Sequence, residues 1–531
     1  MQITQNQTVK KIILFGSIIL FTFLLRHQYL NVPILIVDEA LYSEIANVIL
    51  DGGVPYRDAW EQKPPGIYFL YALIFLVFGR NNLIAVHWAA AFAVALTAIG
   101  LFCFASIIFS KRTAIISAFL YCAISSCGSA AHFQAANTEI FSVLFAVWAI
   151  FFFFKENGKF IHFFTCGLLT AISFFFKQPG GLIIILFIIY LFIKNFKDKR
   201  LFLKRVSAIL VGFFTISLIT VSYFFANNSL FDFWMVGFWH NVLYMKGNDI
   251  EFGFFAMKRN IPLFVKNNYI FYIPAFIMFL LSLIKFIRKK LNFNHMETKH
   301  IFMLIWFPLS FMSTSLGWRF EGHYFYFFFP AVCVLSAEFF GQCYNYLYGR
   351  QKYIAYVFVM LYISGFLHSL IYHTGFPPGF QKKYRVFMDI KEKEGNFISG
   401  ISQYIRQRTS KNDTIFVWGF CPEIYTLSRR RCASRFVFCN FLIGQMTGDK
   451  YFYMDVERLD RTIPGTWDKL MADLNKNMPA YIIDTSTIDY FKYNKYPVSR
   501  FYLLKDFIDS NYIYKGKTAY VDVYKLKPQN D

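Results

Sequence analysis

The sequence predicts an α-helical polytopic membrane protein with a small soluble α/β domain at its C-terminal end. Three observations carry this. Of 531 residues, 56% are hydrophobic and only 16% charged, whereas an ordinary soluble domain is about 25% charged. The apolar residues fall in long runs, such as LIAVHWAAAFAVALTAIGLFCFASIIF from Leu83, and a run of about 18 or more can cross ~30 Å of hydrocarbon as a helix. Beyond residue 372 these runs stop, and short apolar stretches alternate with polar ones. The formal net charge of +22 does not point to nucleic acid as a partner, because the basic residues cluster between apolar runs as the positive-inside rule describes.

From the N-terminus, Lys10 and Lys11 precede IILFGSIILFTFLL with no small-x-small cleavage site after it. The first run therefore reads as a retained span rather than a signal peptide. About eleven spans are expected, near 12–36, 83–108, 113–131, 137–154, 160–176, 179–194, 206–226, 269–287, 301–316, 324–346 and 353–372. Basic clusters occupy alternate connections: Lys10-Lys11, Lys111-Arg112, Lys155 with Lys159, KNFKDKRLFLKR from Lys194, KFIRKK from Lys285, and Arg350 with Lys352. With those in the cytoplasm, the N-terminus lies on the cytoplasmic side of the cytoplasmic (inner) membrane and the C-terminus on its outer side. The outer side then receives 37–82, the neighbourhood of Lys177, 227–268, GWRFEGHYF and everything after about 373.

Two outer connections, 37–82 and 227–268, are far longer than linkage requires. In the first, Leu41, Ile45, Val48 and Ile49 share one helical face, with Glu44, Asn47 and Asp51 opposite. That pattern suits a helix lying along the membrane surface. After Pro64-Pro65, GIYFLYALIFLVFG is short for a span and suits a second surface or re-entrant helix. Were it to cross, every later basic cluster would change sides.

The tail reads as an extracytoplasmic domain over 373–531, following a membrane domain over 1–372. GNFISGISQYIRQRTS has helical periodicity, DTIFVWGF and PAYIID look like short buried strands, and GKTAYVDVYKL ends the chain as a strand. Alternating helix and strand point to a small α/β domain. Cys103, Cys122, Cys127, Cys166, Cys333 and Cys343 lie in apolar runs and read as inert core. Cys421, Cys432 and Cys439 fall in the tail, where an oxidising compartment would allow one disulfide. Their spacing is not that of metal ligands.

The chemistry gathers on the predicted outer face. Asp38 and Glu39 are adjacent at the mouth of the first long loop. One of them could serve simply as a helix cap or first-turn acid. Capping needs a single short polar group, however, and ionisable groups at the membrane boundary are costly. Two neighbouring carboxylates also repel, which raises one pKa toward the range of a general base. Lys63, stiffened by Pro64-Pro65, is placed to hold a phosphate as a point charge, or to snorkel to the interface. AANTE supplies Asn137 and Glu139, FFFKQPGG supplies Lys177 and Gln178, and GWRFEGHYFYFFFP supplies Arg319, Glu321, His323 and Tyr324. Each alone is an ordinary interfacial anchor; together they suggest a site for an anionic lipid and a hydroxyl acceptor. Aromatic residues of FDFWMVGFWHNVLYMKGN would line a groove for an isoprenoid chain, although aromatic belts occur without ligands.

The stretch DEALYSEIANVILDGGVPYRDAWEQKPPGIYFLYALIFLVFG resembles the first outer loop of the GT-C glycosyltransferases related to bacterial aminoarabinose transferases and protein O-mannosyltransferases. Asp38, Glu39, Tyr42, Gly52, Lys63, Pro64, Pro65, Tyr68 and Gly79 match that pattern in order. NTE at 137–139, KQPG at 177–180 and GHYFYFFFP at 322–330 look like later landmarks of the same family, so the resemblance covers about 10–372. VWGFCPEIY resembles the extracytoplasmic tail domains of bacterial members.

The resemblance implies transfer of a sugar, hexosyl or pentosyl, from a polyprenyl-phosphate donor to a lipid, glycan or protein hydroxyl outside the membrane, with inversion. It makes Asp38 the base or acceptor-orienting carboxylate and Glu39 its support. Lys63 would hold the donor phosphate, with Lys177, Arg319, His323 and Tyr324 beside it. Tyr42, Asn137, Glu139 and Gln178 would position substrate. Protein cations can stabilise a departing phosphate, so no obligatory metal or other cofactor is expected, though some relatives use a divalent cation. Two other readings stand beside this one. A ligase or polymerase using a diphosphate carrier would call for more clustered Arg than Arg319. A transporter or flippase of a polyprenyl-linked lipid would show mid-span charges and internal repeats.

Overall fold

Each expected span coincides with a helix. The structure is a computed structural model describing residues 2–126, 128, 130–155, 159–246, 248–293, 296–374 and 397–528. Among these, Thr8–Tyr29, Leu83–Ile108, Gln178–Asn195, Lys199–Ala226 and Asn268–Arg288 are each long and apolar enough to cross a bilayer. Thr138–Phe154, Phe160–Phe176 and Lys352–His368 are shorter apolar helices. The chain is a multi-pass membrane protein.

Several boundaries differ from expectation. The first helix runs Gln2–Arg26 and gives way to a 3-10 turn at His27–Tyr29, so the span does not continue to 36. The expected 113–131 span is a helix over Lys111–Ile124, followed by a separate π-helical turn at Ala130–Gln134; Cys127 lies outside the described residues. The 227–268 connection is largely helical, through Leu230–Trp234, Met235–Trp239 and His240–Lys246. It then joins the Ile250–Arg288 helix, which is kinked at Asn268 (φ −132°, ψ 21°).

By contacts the chain divides into two compact units. The first comprises Met1–Val32, Val86–Ser222 and Gly253–Tyr384; the second comprises Pro33–Ala85, Tyr223–Phe252 and Arg385–Asp531. The division is thus not a single cut at 372: both long loops group with the tail. The start of the predicted tail domain, 375–396, lies outside the described residues.

Within the first unit, Thr138–Phe154 and Phe160–Phe176 pack side by side. Ser142 Oγ donates to Ser173 O and Ser173 Oγ donates to Ser142 O, both at 2.8 Å. Small residues let helices approach and their hydroxyls bond across. Gly167 and Gly212 do the same for Phe160–Phe176 against Lys199–Ala226: a Cβ on Gly167 would lie 2.0 Å from Ile209 O, and one on Gly212 2.1 Å from Phe164 O.

In the second unit, Val37–Leu50 packs against Gly66–Phe78. The latter, a shorter apolar helix like Thr138–Phe154, buries Tyr68, Tyr71 and Phe75 and exposes Leu73, Leu76, Val77 and Phe78. The polar face of Val37–Leu50 is not solvated, contrary to the surface-helix pattern. Glu44 and Asn47 are each 2% exposed, because Asn81 and the tail supply partners for them.

The tail forms a five-stranded sheet in the order β2-β1-β3-β5-β4: β1 Thr414–Trp418, β2 Arg431–Cys432, β3 Tyr481–Asp484, β4 Tyr512–Thr518 and β5 Val521–Leu526. β1 pairs in parallel with β2 and β3, while β5 pairs antiparallel with β3 and β4. The C-terminal segment is therefore a hairpin, not the tail's single last strand. Its turn residues Ala519 and Tyr520 take positive φ (48° and 71°) without the Asn-Gly chemistry that marks such turns in sequence. Cys421, Cys432 and Cys439 are free thiols, so no disulfide joins them.

Candidate active site

The acid pair sits in the first turn of the Val37–Leu50 helix, whose N-cap residue Ile36 offers no side-chain cap. Neither acid caps it through the expected N-cap geometry. Glu39 is fully buried and its Oε2 accepts from Leu35 N at 2.8 Å, which fixes how the chain enters the helix. Asp38 is different. Its Oδ2 lies 3.5 Å from Lys63 Nζ and accepts from Tyr42 Oη at 3.3 Å. Tyr42 is one helical turn on from Asp38, so their side chains share a face.

Lys63 is held from several sides. Its ammonium is 3.3 Å from Glu61 Oε1, and its backbone N–H donates to Glu61 Oε2 at 2.7 Å. Its carbonyl accepts from Tyr56 Oη at 2.6 Å and Tyr68 Oη at 3.1 Å. Tyr68 also donates to Glu61 Oε2. Asp38 and Lys63 keep 22% and 17% side-chain exposure, against 2% for Glu61. Burial pushes the Tyr56 phenol well above its ordinary range, the Glu61 charge adding to it, so Tyr56 stays a neutral donor. Glu61 and Tyr56 were not singled out by sequence reasoning. The available signal was position: Glu61 stands two residues before Lys63, close enough to fold back on both its amide and its amine.

The other predicted residues assemble within the first unit. Lys177 Nζ lies 2.9 Å from Glu139 Oε1, and His323 Nε2 is 4.0 Å from the same oxygen. His323 Nδ1 is 3.0 Å from His132 Nδ1, the rings stacked at 5.2 Å. Arg319 reaches Glu321 at 3.6 Å and donates to Tyr324 Oη at 3.3 Å, and Lys177 lies 4.9 Å from the Tyr324 ring centre. Burial pushes His323 down to about 4, against the pull of Glu139, so the ring is neutral near pH 7. Asn137 is buried and donates to Ala131 O at 3.0 Å, tying down the π-helical turn that carries His132. Gln178 opens the 3-10 turn Gln178–Leu182. A Cβ on Gly180 would meet Ser173 Oγ at 2.2 Å, so the KQPG turn needs glycine for close approach.

His132 was missed because nothing in AAHFQ marks it in sequence. Arg26 was missed as well. Buried at 1% exposure, it donates to Phe133 O at 2.8 Å and Gln134 O at 2.7 Å, and Tyr326 Oη donates to Ser125 O and Phe133 O. A largely apolar cleft, lined by Val147, Ile150, Leu186, Trp306, Leu309 and Phe327 with Ser310 and Ser313, borders Pro179 and Gly180. The predicted aromatic groove residues are divided: Phe233 stacks on Phe224 at 4.2 Å, whereas Phe231, Trp234 and Trp239 are exposed. Among the described residues, no three His, Cys, Asp or Glu side chains converge as metal ligands, and at Asp38 and Glu61 the position between the acids is taken by Lys63.

Residues 62–224 match the dolichyl-phosphate-mannose-protein mannosyltransferase family. The whole chain superposes on the crystal structure of ArnT from Cupriavidus metallidurans bound to undecaprenyl phosphate. The TM-score is 0.58 at 14% identity, with 98% of each chain covered. The chain has a GT-C fold. The same GT-C architecture relates it to the archaeal oligosaccharyltransferase AglB from Archaeoglobus fulgidus, solved with an inhibitory peptide and a dolichol-phosphate. There the TM-score is 0.55 at 10% identity, over 99% of this chain and 75% of AglB. No curated protein matches the chain in sequence. The family match begins one residue before Lys63 and extends past Lys177, so both motifs lie inside the matched segment.

Proposed function

We propose that the protein transfers a sugar from a polyprenyl-phosphate carrier to a hydroxyl acceptor at the outer surface of the cytoplasmic membrane. The observation that carries this is the meeting of Asp38 and Lys63 at 3.5 Å, both partly open to solvent while Glu39, Glu61, Tyr42 and Tyr68 around them are buried. The solved relatives of the same fold bind undecaprenyl phosphate and dolichol-phosphate, which supports the same class of carrier here.

A donor phosphate competes with Asp38 for the Lys63 ammonium. Binding of donor thereby releases the carboxylate to take an acceptor proton. The acceptor oxygen attacks the anomeric carbon as its proton passes to Asp38, and the bond from that carbon to the phosphate oxygen breaks. The polyprenyl phosphate leaves with its charge met by Lys63, and configuration inverts. Glu39 supports Asp38 by fixing the helix entry, and Tyr42 orients it. Within the other unit, Lys177, Arg319, His323 and Tyr324 are proposed to hold an anionic group, with Asn137, Glu139 and Gln178 placing them. The largely apolar cleft that borders Gly180 has walls suited to an isoprenoid chain.

Purified protein assayed with a polyprenyl-phosphate sugar tests this. Asp38→Asn should lower turnover by roughly 10²- to 10⁴-fold and leave donor binding largely intact. Lys63→Ala should weaken donor binding by roughly 10- to 100-fold. Unchanged turnover in the first variant removes Asp38 as base, and unchanged donor affinity in the second removes Lys63 from the phosphate.

A further inference from the structure

The tail's Arg431 reaches the helix that carries Asp38. It stands on β2, at the edge of the sheet. Its Nη1 lies 2.8 Å from Glu44 Oε1, and its Nε lies 3.0 Å from Asp51 Oδ2. Nη1 also faces Glu44 O at 3.3 Å. The next residue, Cys432, donates its backbone N–H to Glu44 Oε1 at 2.9 Å. One carboxylate thus takes both the guanidinium and an outward amide of the edge strand. Arg80 Nη1 closes the far side of Asp51 at 2.6 Å, and Asn47 is held by Asn81 at 2.7 Å. Glu44, Asn47 and Asp51 recur at i, i+3 and i+7, so they line one face of the helix, turned away from the Asp38–Tyr42 side. Glu44 is buried, and burial raises its pKa against the pull of Arg431.

We propose that Arg431 is a positioning residue and that the tail domain serves the reaction by locking the Asp38 helix in place. This rests on the reading of Asp38 as base. A short helix at the membrane boundary, with its N-terminal acid facing a lysine on a separate turn, has no rigidity of its own. Arg431 spans nearly two turns of it and sets the rotation that brings Asp38 and Tyr42 toward Lys63.

The test uses the full chain in detergent, measuring kcat, donor affinity and hydrogen exchange of the 37–50 amides. Arg431→Ala should lower kcat by on the order of tenfold to a hundredfold, the cost of a carboxylate misplaced by about an ångström. Donor affinity should change less than about twofold, and exchange across 37–50 should accelerate. Arg431→Lys, able to pair with one carboxylate at a time, should recover part of kcat. Glu44→Gln keeps an acceptor for Cys432 N–H while removing the charge, so it carries the test if Arg431→Ala does not fold. Arg500→Ala, which removes an exposed pair with Glu457, should leave all three readouts at wild-type values. If the Arg431 and Glu44 variants keep wild-type exchange and kcat while Asp38→Asn is inactive, the lock is refuted and the base assignment stands. If Asp38→Asn is itself active, the reading beneath the proposal fails, and faster exchange in Arg431→Ala then supports a purely structural lock.

Discussion

Lys63 stands between two carboxylates, and that arrangement governs what single substitutions can reveal. Removing Asp38 leaves the lysine held by Glu61, so the cation stays in place while the proposed base is lost. Removing Lys63 leaves two acids facing each other across the gap it filled. His240 gives a test that does not depend on catalysis. It is buried beside Phe441, with Nδ1 3.0 Å from Gln62 Oε1, and burial first and Arg461 second push its pKa down to about 4. The unfolded chain therefore takes up a proton between about pH 6.5 and 4 that the folded chain refuses. Stability contributed here is complete above about pH 6.5 and declines as pH falls toward 4, by on the order of 3 kcal/mol. Melting temperatures of wild type and His240→Phe across this window should show the variant's curve flatter by that contribution. That Asp38 and Lys63 come together was legible because an acid pair and a Lys-Pro-Pro at a membrane boundary are costly to leave unpaired. His132 and Arg26 were not, since their partners are backbone groups or residues far along the chain; Glu61 was passed over although its partner Lys63 stands only two residues on.

At the scale of elements, helix positions followed from apolar runs, whereas helix ends depended on contacts the runs do not encode. The first helix stops at Arg26, whose side chain turns to the carbonyls of Ser125, Phe133 and Gln134. The amphipathic pattern of 37–50 was read correctly as a helix and incorrectly as having a wet face. A face of Glu, Asn and Asp looks the same in sequence whether water or an arginine answers it. Packing between helices rests on glycines that periodicity ignores. Gly167→Ala would drive a methyl into the Ile209 carbonyl, which is backbone and cannot rotate aside. A loss of about 1–3 kcal/mol is expected, read as a lower melting temperature in detergent. Ser142→Ala, which leaves the Ser173 hydroxyl its bond to the 142 carbonyl, should cost less.

For the whole molecule, the sequence showed that membrane helices are followed by a small α/β fold, but not that the early loop and the tail form one compact unit. Trp60 is the apolar counterpart of Arg431 in that unit. It is 1% exposed, lies 5.1 Å from Phe436 and 5.5 Å from Phe441, and carries the Lys469 ammonium 4.7 Å above its ring. Its backbone N–H donates to Arg435 O at 2.7 Å. Trp60→Ala should cost about 3–5 kcal/mol and expose the tail to limited proteolysis at protease levels the wild type withstands. No local pattern announces such a contact, because its halves lie hundreds of residues apart.

That separation has a consequence for biosynthesis. Glu44 and the residue it meets on β2 are 388 positions apart. At about 5–20 residues per second, the ribosome needs roughly 20–80 s to supply the second after the first. Throughout that interval the nascent loop carries an acid and a large indole still waiting for their mates. A chain halted before β2 would leave both stranded, and quality-control proteases would find the loop first.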